Sequence, residues 1–327
     1  MSKRAAHLVD AVLEATVVGS FTKVGITARS RLEQWSDSTS ASGRTVVITG
    51  ATSGLGLAAS RRLAALGANV HLVGRNERKL NGAEAVVRGV ARGNVAAHLC
   101  DLSLLADTTL LAQTLQESCG PIDVVIHNAG SLLDQYSRTS EGIEATVATH
   151  LLGPFQLTER LVASSAFASN ARIIFMTSGG MYTERFDLAS LEMDAAAYKG
   201  AVAYARAKRA QTVLAGHWQK TYGDKGLAFH LVHPGWAATP GVSDGLPTFS
   251  KIMGPLLRTP EQGADTLVWL AGRPDGEPSP GLLWHDRHTR SMHRLGRTRL
   301  SASDELTSGP SLAVWCTDRI EKVLRDR

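Results

Sequence analysis

The sequence predicts an α/β protein whose single domain is a doubly wound parallel sheet, preceded by an N-terminal helical extension. Two observations support this fold class. Short apolar runs alternate with longer amphipathic stretches over most of the 327 residues, and strand, helix and strand repeated in this way give a parallel sheet with helices on both faces. In addition, a glycine-rich turn joins the first apolar run to the first long stretch.

The extension comprises residues 1–43, of which 3–18 have the spacing of an amphipathic helix. Five apolar residues share one side of that helix: Leu8, Val9, Val12, Leu13 and Val17. Because few of them are bulky, we expect this side to pack on the protein body; the alternative is a peripheral contact with a membrane surface. Residues 36–43 are predicted to form a polar linker.

The segment Gly43–Gly56 is the most informative part of the chain. The apolar run Val46–Ile48 is followed by Gly50, Gly54 and Gly56 and then by a helical stretch. Glycines at such a turn let the backbone approach a diphosphate closely, and free amides at a helix N-terminus attract its negative charge. A strand before the turn and a helix after it are the required context, so we expect a Rossmann-type dinucleotide fold.

The other elements follow from the same alternation. Further strands are predicted at 69–73, 95–99, 122–127, 172–177 and 227–232. Helices are predicted at 54–66, 77–91, 103–118, 142–167 and 202–222, with Ser103 as an N-cap and a bend near Gly153-Pro154. Ligands of such sheets bind at the carboxyl ends of the strands, where candidate site residues are therefore sought.

Residues suited to chemistry lie at these strand ends and on one helix. Tyr204 and Lys208 are separated by one helical turn, so they share a face. An ammonium stabilises a phenolate, and an oxidised nicotinamide would add to the effect. Lowering the tyrosine pKa to near 7 needs roughly 4 kcal/mol, which two cations in a partly dry site can supply. Ser178, at another strand end, could then hydrogen-bond a substrate oxygen.

Taken together, these segments resemble the short-chain dehydrogenase/reductase family over residues 44–285. The matching motifs occur in order: TGATSGLG at 49–56, CDLS at 100–103, HNAG at 127–130, YARAK at 204–208 and HPGWAATPG at 233–241. Within the family, GWAATPGV, the segment 261–271 and the N-terminal helix resemble the branch called dehydrogenase/reductase member 12-like. The resemblance implies a catalytic domain over 44–285 and a C-terminal extension over 286–327.

The resemblance also implies roles for individual residues. Tyr204 would be the general acid/base, Lys208 its pKa-lowering partner and a ribose ligand, and Ser178 the donor to the substrate oxygen. The matching positions implied to contact the cofactor are Gly50, Ser53, Gly54, Leu55, Gly56, Asp101, Leu102, Asn128, Ala129, Gly130, Pro234, Gly235 and Thr239.

One position departs from the family pattern. The family has an asparagine in N-x-L-G-x-F, where it holds a water that relays protons to the lysine, and this chain has His150 there. Imidazole, with a pKa of about 6.5, could also relay protons, so His150 is included among the catalytic residues. The alternative is a buried, hydrogen-bonded histidine in a weakened enzyme.

The end of the second strand favours NADP(H). An acidic residue there binds the ribose 2′-hydroxyl, whereas a basic one accepts a 2′-phosphate. The chain has Arg75 at this point and no acidic residue before Glu77. Arg75 can stack on adenine and pair with phosphate, and Ser53 can donate to the same group. The alternative is that Arg75 is a solvated loop residue.

The substrate is expected to be a small-molecule alcohol or carbonyl compound of lipophilic character. Apolar residues of the segment 236–260 would either cover such a ligand or close the core: Leu246, Phe249, Ile252, Met253, Leu256 and Leu257.

Composition and charge narrow the kinds of partner, metal site and cellular location that we expect for this protein. The net charge of +5 suits a phosphate-bearing ligand, and no basic stretch is interleaved with aromatic residues, so no nucleic-acid partner is expected. The three cysteines and the histidines 285, 288 and 293 fit no metal spacing, and the segment 285–299 is expected to be a solvated surface loop. Free thiols indicate a cytoplasmic protein, with membrane association as the alternative.

Three functions remain open: an NADP(H)-dependent oxidoreductase, a cofactor-sensing binding protein with little turnover, and a lipid-associated scaffold anchored by the first helix. The family resemblance also implies a homo-oligomer that pairs through the helices at 142–167 and 202–222.

Overall fold

A computed structural model describes residues 3–35, 40–274, 279–281 and 283–325, so part of the predicted linker at 36–43 lies outside the described residues. The described residues form an eight-stranded sheet, and the predicted fold class is confirmed. Its strands are β1 Thr45–Thr49, β2 Asn69–Gly74, β3 Val95–Leu99, β4 Ile122–His127, β5 Phe167–Met176, β6 Ala228–Val232, β7 Leu283–His285 and β8 His288–Arg290.

The strand order is β3-β2-β1-β4-β5-β6-β7-β8, and the pairs from β3 to β7 are parallel. The order reverses between β1 and β4, which opens a crevice at the carboxyl ends of these two strands. The flanking helices are α1 Lys3–Ala15, α2 Val17–Phe21, α3 Lys23–Leu32, α4 Gly54–Ala65, α5 Glu77–Arg88, α6 Leu105–Ser118, α7 Ala145–Val147, α8 Gly153–Ala163, α9 Gly200–Tyr222, α10 Pro240–Gly245, α11 Pro247–Met253, α12 Pro260–Gly272 and α13 Ala302–Arg325.

Alternate residues of β1 face opposite sides of the sheet, as strand geometry requires. Val46 and Ile48 pack in one apolar core with α4 and α12, whereas Val47 packs in another with α6 and α8. A third core lies between β5 and the helices α9 and α13. Burial on both faces of the sheet explains the near-continuous apolar runs of the central strands.

The final strand departs from the predicted parallel sheet, because β8 pairs antiparallel with β7. The turn between them consists of Asp286 and Arg287, whose φ angles of 52° and 59° suit a two-residue hairpin. The expectation of a solvated loop over 285–299 is wrong here, because His285 and Asp286 are 1% and 0% exposed. Contacts from the extension cover them, and these contacts join residues that are far apart in the sequence.

Two local expectations are corrected by distant contacts. The helix predicted over 142–167 is interrupted by a π-helical turn at Ala148–Leu152, and β5 already begins at Phe167. Ser103 is not the N-cap of α6; the carboxylate of Glu141 instead accepts hydrogen bonds of 2.6 and 3.1 Å from the first two amides of that helix. A side chain from another segment can cap a helix as well as a local one.

The helix α1 packs with only part of the expected apolar side, because Val9 and Leu13 are half-buried whereas Leu8 and Val12 are not. Leu8 and Val12 are 68% and 62% exposed, whereas Asp10 contacts Arg29 and Arg290 at 2.7 and 2.6 Å. Burial would raise the pKa of Asp10, but hydrogen bonds from the two guanidinium groups hold it well below its usual value. Ion pairs therefore help to attach the extension to the body, and Leu8 and Val12 of its apolar side face outward.

Among the helices that the structure describes, none is both long and apolar enough to span a bilayer.

Candidate active site

The glycine turn lies between β1 and α4, at the crevice. Gly50 has a φ of +66°, and a Cβ atom there would lie 2.7 Å from the Cα atom of Ala129, so only glycine fits. Ser53 is the N-cap of α4, but its side chain makes no capping hydrogen bond. The first amides of α4 and the Ser53 hydroxyl are therefore available to a negatively charged ligand.

Asn128 joins the ends of β1 and β4. Its Nδ2 atom donates to the backbone oxygens of Thr49 and Gly50, at 3.0 and 3.2 Å. In the other direction, Thr49 Oγ1 accepts from the backbone amides of Asn128 and Ala129, both at 3.0 Å. Asn128 thus holds the glycine turn against the fourth strand, which matches the supporting role implied by the family resemblance.

A continuous cleft of about 520 Å³ runs along this edge of the sheet. Its lining includes every residue predicted to contact the cofactor except the packed Gly56: Gly50, Ser53, Gly54, Leu55, Arg75, Asp101, Leu102, Asn128, Ala129, Gly130, Tyr204, Lys208, Pro234, Gly235 and Thr239. A Cβ atom on Gly56 would lie 2.3 Å from the backbone oxygen of Gly50, so Gly56 acts through close packing. The volume is in the usual range of small-molecule sites.

One end of the cleft is basic. Arg75 is exposed at the end of β2, and Lys79, in the first turn of α5, lines the same end. Sequence reasoning missed Lys79, although its position one turn into the helix after Arg75 was a usable signal. Asp101 also lines the cleft, but its Oδ1 atom accepts hydrogen bonds from the amide and hydroxyl of Ser103, at 2.9 and 2.7 Å.

The other end brings Tyr204, Lys208 and Ser178 together from α9 and the end of β5. Lys208 Nζ lies 5.6 Å from the centre of the Tyr204 ring and donates to the backbone oxygen of Met176 at 2.7 Å. Ser178 Oγ accepts from the amide of Gly180 at 3.1 Å, which leaves the hydroxyl proton of Ser178 available for another acceptor.

Burial governs the ionisation of this group. It raises the pKa of Tyr204, an effect that a hydrogen bond from Ser178 partly offsets. Burial also lowers the pKa of Lys208 from 10.5 to about 7. Without a cofactor, burial therefore keeps Tyr204 protonated at neutral pH, and a pKa lowered jointly by Lys208 and an oxidised nicotinamide stays a prediction.

His150 lies on the π-helical turn, with its ring edge-on to that of Tyr204 at 5.1 Å between centres. Its Nε2 atom is 2.9 Å from the backbone oxygen of Ser131, so Nε2 carries the proton and Nδ1 is an acceptor. Burial and the charge of Lys208 lower the pKa of His150 to about 3. The imidazole is neutral at pH 7, contrary to the ordinary pKa that the relay hypothesis used, and its buried Nδ1 atom has no hydrogen-bond partner among the described residues.

The loop after β6 and the helices that follow it contribute apolar residues to the wall of the cleft. Of the six apolar residues expected to form a cover, Leu246 and Phe249 line the cleft, together with Trp236 and Val242. Ile252 is 72% exposed and Leu257 is buried at 7%, so the alternative of a cover applies to Leu246 and Phe249 and not to these two residues.

Within the described ranges, no group of three or more histidine, cysteine, aspartate or glutamate side chains is placed to hold a metal ion.

Residues 44–245 match the family profile described as short chain dehydrogenase. The bovine (Bos taurus) protein named dehydrogenase/reductase SDR family member 12 is 34% identical over 266 residues, which cover 80% of this chain and 83% of the bovine one. Human (Homo sapiens) polyprenol dehydrogenase is 28% identical over 281 residues, covering 81% and 85% of the two chains.

A short chain dehydrogenase from Burkholderia cenocepacia J2315, solved in complex with NADP, has a similar fold. The TM-score is 0.61 at 20% identity, and the match covers 74% of this chain and 95% of the other. The profile match, the bovine relative and the ordered motifs of the cleft show that this chain belongs to the short-chain dehydrogenase/reductase family of oxidoreductases and resembles its member 12 branch.

Proposed function

We propose that the protein is an NADP(H)-dependent oxidoreductase that interconverts a carbonyl and an alcohol on a lipophilic small molecule. The observation that carries this proposal is the single cleft of about 520 Å³ with Tyr204, Lys208 and Ser178 at one end and Arg75 at the other. A bound nicotinamide would supply hydride transfer at the end that contains Tyr204.

Tyr204 would donate the proton to the substrate oxygen in the reducing direction, which suits a phenol that burial keeps protonated. Ser178, which hydrogen-bonds to Tyr204 in this structure, would turn its hydroxyl proton to the same substrate oxygen, since its own oxygen already accepts from Gly180. Two donors aimed at an oxygen that gains negative charge stabilise the transition state more than the ground state.

His150 would serve the proton relay as a neutral acceptor. Its proton is held on Nε2 by Ser131, and the free Nδ1 atom can accept from a water or hydroxyl beside Tyr204 and Lys208. This role needs no change in the charge of His150, which is consistent with a pKa of about 3. In the reducing direction, such a chain would resupply the proton that Tyr204 gives up.

The choice of NADP(H) is supported by the charges around Arg75. Arg75, Lys79 and the uncapped hydroxyl of Ser53 line one end of the cleft and can together bind a 2′-phosphate. Asp101 lines the cleft as well, but it follows β3, so it is not at the end of β2, where an acidic residue binds the ribose 2′-hydroxyl. The similar Burkholderia protein was solved with NADP, which agrees with this choice.

A lipophilic substrate is supported by the apolar wall of Trp236, Leu246 and Phe249 at the end of the cleft that contains Tyr204. The rings of Trp236 and Phe249 meet edge-to-face at 5.0 Å. One human relative is named polyprenol dehydrogenase, and this name agrees with a lipophilic substrate.

The proposal is tested with the full-length protein. NADPH binding is followed by cofactor fluorescence, and turnover by loss of NADPH absorbance with a panel of aldehydes and ketones of increasing chain length. We expect binding of NADPH and turnover that rises with the apolar length of the substrate. Tight binding without turnover over the whole panel would instead support the cofactor-sensing alternative.

We expect the affinity for NADPH to decrease as the pH rises through about 7, because Lys208 then loses its positive charge and the cleft becomes less favourable to an anionic cofactor. One linked proton lowers the affinity by at most about tenfold per pH unit. Fluorescence titrations of NADPH at about four pH values between 6 and 9 measure how steeply the affinity depends on pH. The variant Lys208→Met should lose this pH dependence. The control is Lys199→Met, which changes an exposed lysine at the start of α9 and should keep it. An unchanged pH dependence in Lys208→Met would refute the assignment to Lys208.

A peripheral membrane contact is the second role that a specific observation favours. Exposed apolar residues concentrate in the extension, with exposed fractions between 43% and 68%: Leu8, Val12, Val17, Val18 and Val24. Because ion pairs hold the charged side of α1 against the body, the outward side is free to enter a lipid surface.

The membrane role predicts that the protein floats with vesicles of phosphatidylcholine and phosphatidylglycerol. The double variant Leu8→Ser/Val12→Ser should lose most of this binding, because it removes apolar area from the outward side of α1. Leu110→Ser, which changes a 64% exposed leucine on α6, is the control and should float like the wild type. Equal flotation of all three proteins would exclude a contact through α1.

A further inference from the structure

The junction of α2 with α3 is deeply buried within the N-terminal extension. Ser20 and Phe21 end α2 and Thr22 precedes α3, and the three residues are 0%, 3% and 0% exposed. We call Ser20–Thr22 the insertion turn, and the segment Pro234–Thr239, which borders the cleft, the β6 loop. The insertion turn lies directly behind the β6 loop, on the side away from the cleft.

Backbone hydrogen bonds join the two segments. The amide of Trp236 donates to the oxygen of Phe21 at 2.7 Å, and the amide of Arg258 donates to the oxygen of Trp236 at 2.8 Å. The amide of Ala238 in turn donates to the oxygen of Arg258 at 2.8 Å. The middle of the β6 loop is thus held between the extension and the residues that precede α12.

The guanidinium group of Arg258, which is 1% exposed, strengthens this junction from within. It donates to the backbone oxygens of Phe21 and Ser20 at 3.0 and 2.7 Å, and to both carboxylate oxygens of Asp286 at 2.5 and 2.9 Å. Asp286 also accepts from Arg29 of the extension at 2.6 Å. A buried carboxylate shared by two guanidinium groups keeps all three side chains paired.

The β6 loop fits closely around this group. A Cβ atom on Gly235 would lie 2.3 Å from Arg258 Nε and 2.7 Å from the backbone oxygen of Phe21. A displacement of the insertion turn or of Arg258 would therefore change the space next to Gly235. Both Gly235 and its neighbour Pro234 line the cleft.

Aromatic rings continue the connection into the cleft. The Phe21 ring packs against His233 at 4.2 Å and edge-to-face against Trp236 at 5.9 Å. On its other side, Trp236 meets Phe249 at 5.0 Å, and both of these residues line the substrate end of the cleft. Phe21 itself does not line the cleft; it lies one ring away from it.

We propose that the N-terminal extension is a positioning element of the active site, in which Phe21 sets the place of Trp236 and thereby the shape of the substrate end. The proposal rests on the function proposed above. Phe21 is a positioning residue, because it acts through Trp236 and the β6 loop. Losing its ring leaves the basic, Arg75-containing end of the cleft unchanged, so the effects on substrate and on cofactor should separate.

The test compares Phe21→Ala with Val18→Ala, a matched truncation at a 50% exposed position of the same helix. We expect Phe21→Ala to raise KM or lower kcat for a lipophilic ketone by about tenfold or more, since small displacements at a reacting centre are costly. The Kd of NADPH should change by less than about threefold, and Val18→Ala should resemble the wild type in every measurement.

Two further measurements keep the test decisive. Hydrogen exchange at the amides of Trp236 and Ala238 should become faster in Phe21→Ala, whether or not a substrate is known. If Phe21→Ala does not fold, Phe21→Leu replaces it, since leucine keeps apolar bulk and loses the ring contacts. A lower Tm with unchanged KM, kcat and exchange would overturn the positioning role. Faster exchange in a protein that reduces no carbonyl would support the positioning role and overturn the proposed oxidoreductase function instead.

Discussion

Tyr204→Phe is expected to reduce kcat for carbonyl reduction by about 10²- to 10⁴-fold, the usual contribution of a positioned general acid. The reason is geometric. Tyr204 and Ser178 meet at one end of the cleft, and the phenol is the group there that burial keeps protonated at neutral pH. Phenylalanine preserves the ring, including its edge-on contact with His150, so the shape of the cleft should persist.

The measurement combines steady-state reduction with fluorescence titration of NADPH. The Kd of NADPH in Tyr204→Phe should stay within about threefold of the wild type, because one hydroxyl is lost from a large contact surface. Tyr198→Phe is the matched control: its hydroxyl bonds to Thr146 at 2.8 Å and to the backbone oxygen of Leu133 at 3.2 Å. Full activity in Tyr204→Phe would mean that another group supplies the proton.

Arg75→Asp is expected to weaken NADPH binding by about 100-fold or more, while NADH binding changes by less than about threefold. A hydrogen bond to a charged group contributes roughly 1.5–3 kcal/mol, and the introduced carboxylate adds repulsion of the 2′-phosphate. The exposed Arg75 lines the cleft and lies in the same basic end as Ser53 and Lys79.

Arg78→Asp separates this contact from a general effect of charge. Arg78 is an exposed residue of α5, and its substitution by aspartate changes the net charge by the same amount as Arg75→Asp. We expect the Kd of both cofactors in Arg78→Asp to remain within about threefold of the wild type, because surface charges at a distance are screened by salt. Equal weakening of NADPH and NADH by Arg75→Asp would refute the preference for NADP(H).

Much of the cofactor end could be predicted because its chemistry is local. Gly50, Gly54 and the start of α4 lie within one βαβ unit, and the turn imposes its own glycine requirement. Tyr204 and Lys208 share a face because they are one helical turn apart. Lys79, in contrast, was not predicted, because the prediction considered only Arg75 at the end of the second strand.

The ionisation of the candidate catalytic residues could not be predicted from their spacing. Desolvation raises the pKa of Tyr204 and lowers that of Lys208 to about 7, and it depends on everything packed around the two side chains. His150 shows the same limit: its position was found from the motif, but its neutral state follows from burial and from Lys208.

The amino acids alone determine the βαβ order, the glycine turn and the helical pairing of Tyr204 with Lys208, because each depends on neighbours within a few residues. The tertiary structure decides which side of α1 faces the body and why His285 and Asp286 are buried. Those outcomes depend on ion pairs between residues about 260 to 280 positions apart, such as Arg29 with Asp286 and Asp10 with Arg290. Hydrophobic periodicity along the chain carries no information about where such distant partners will meet.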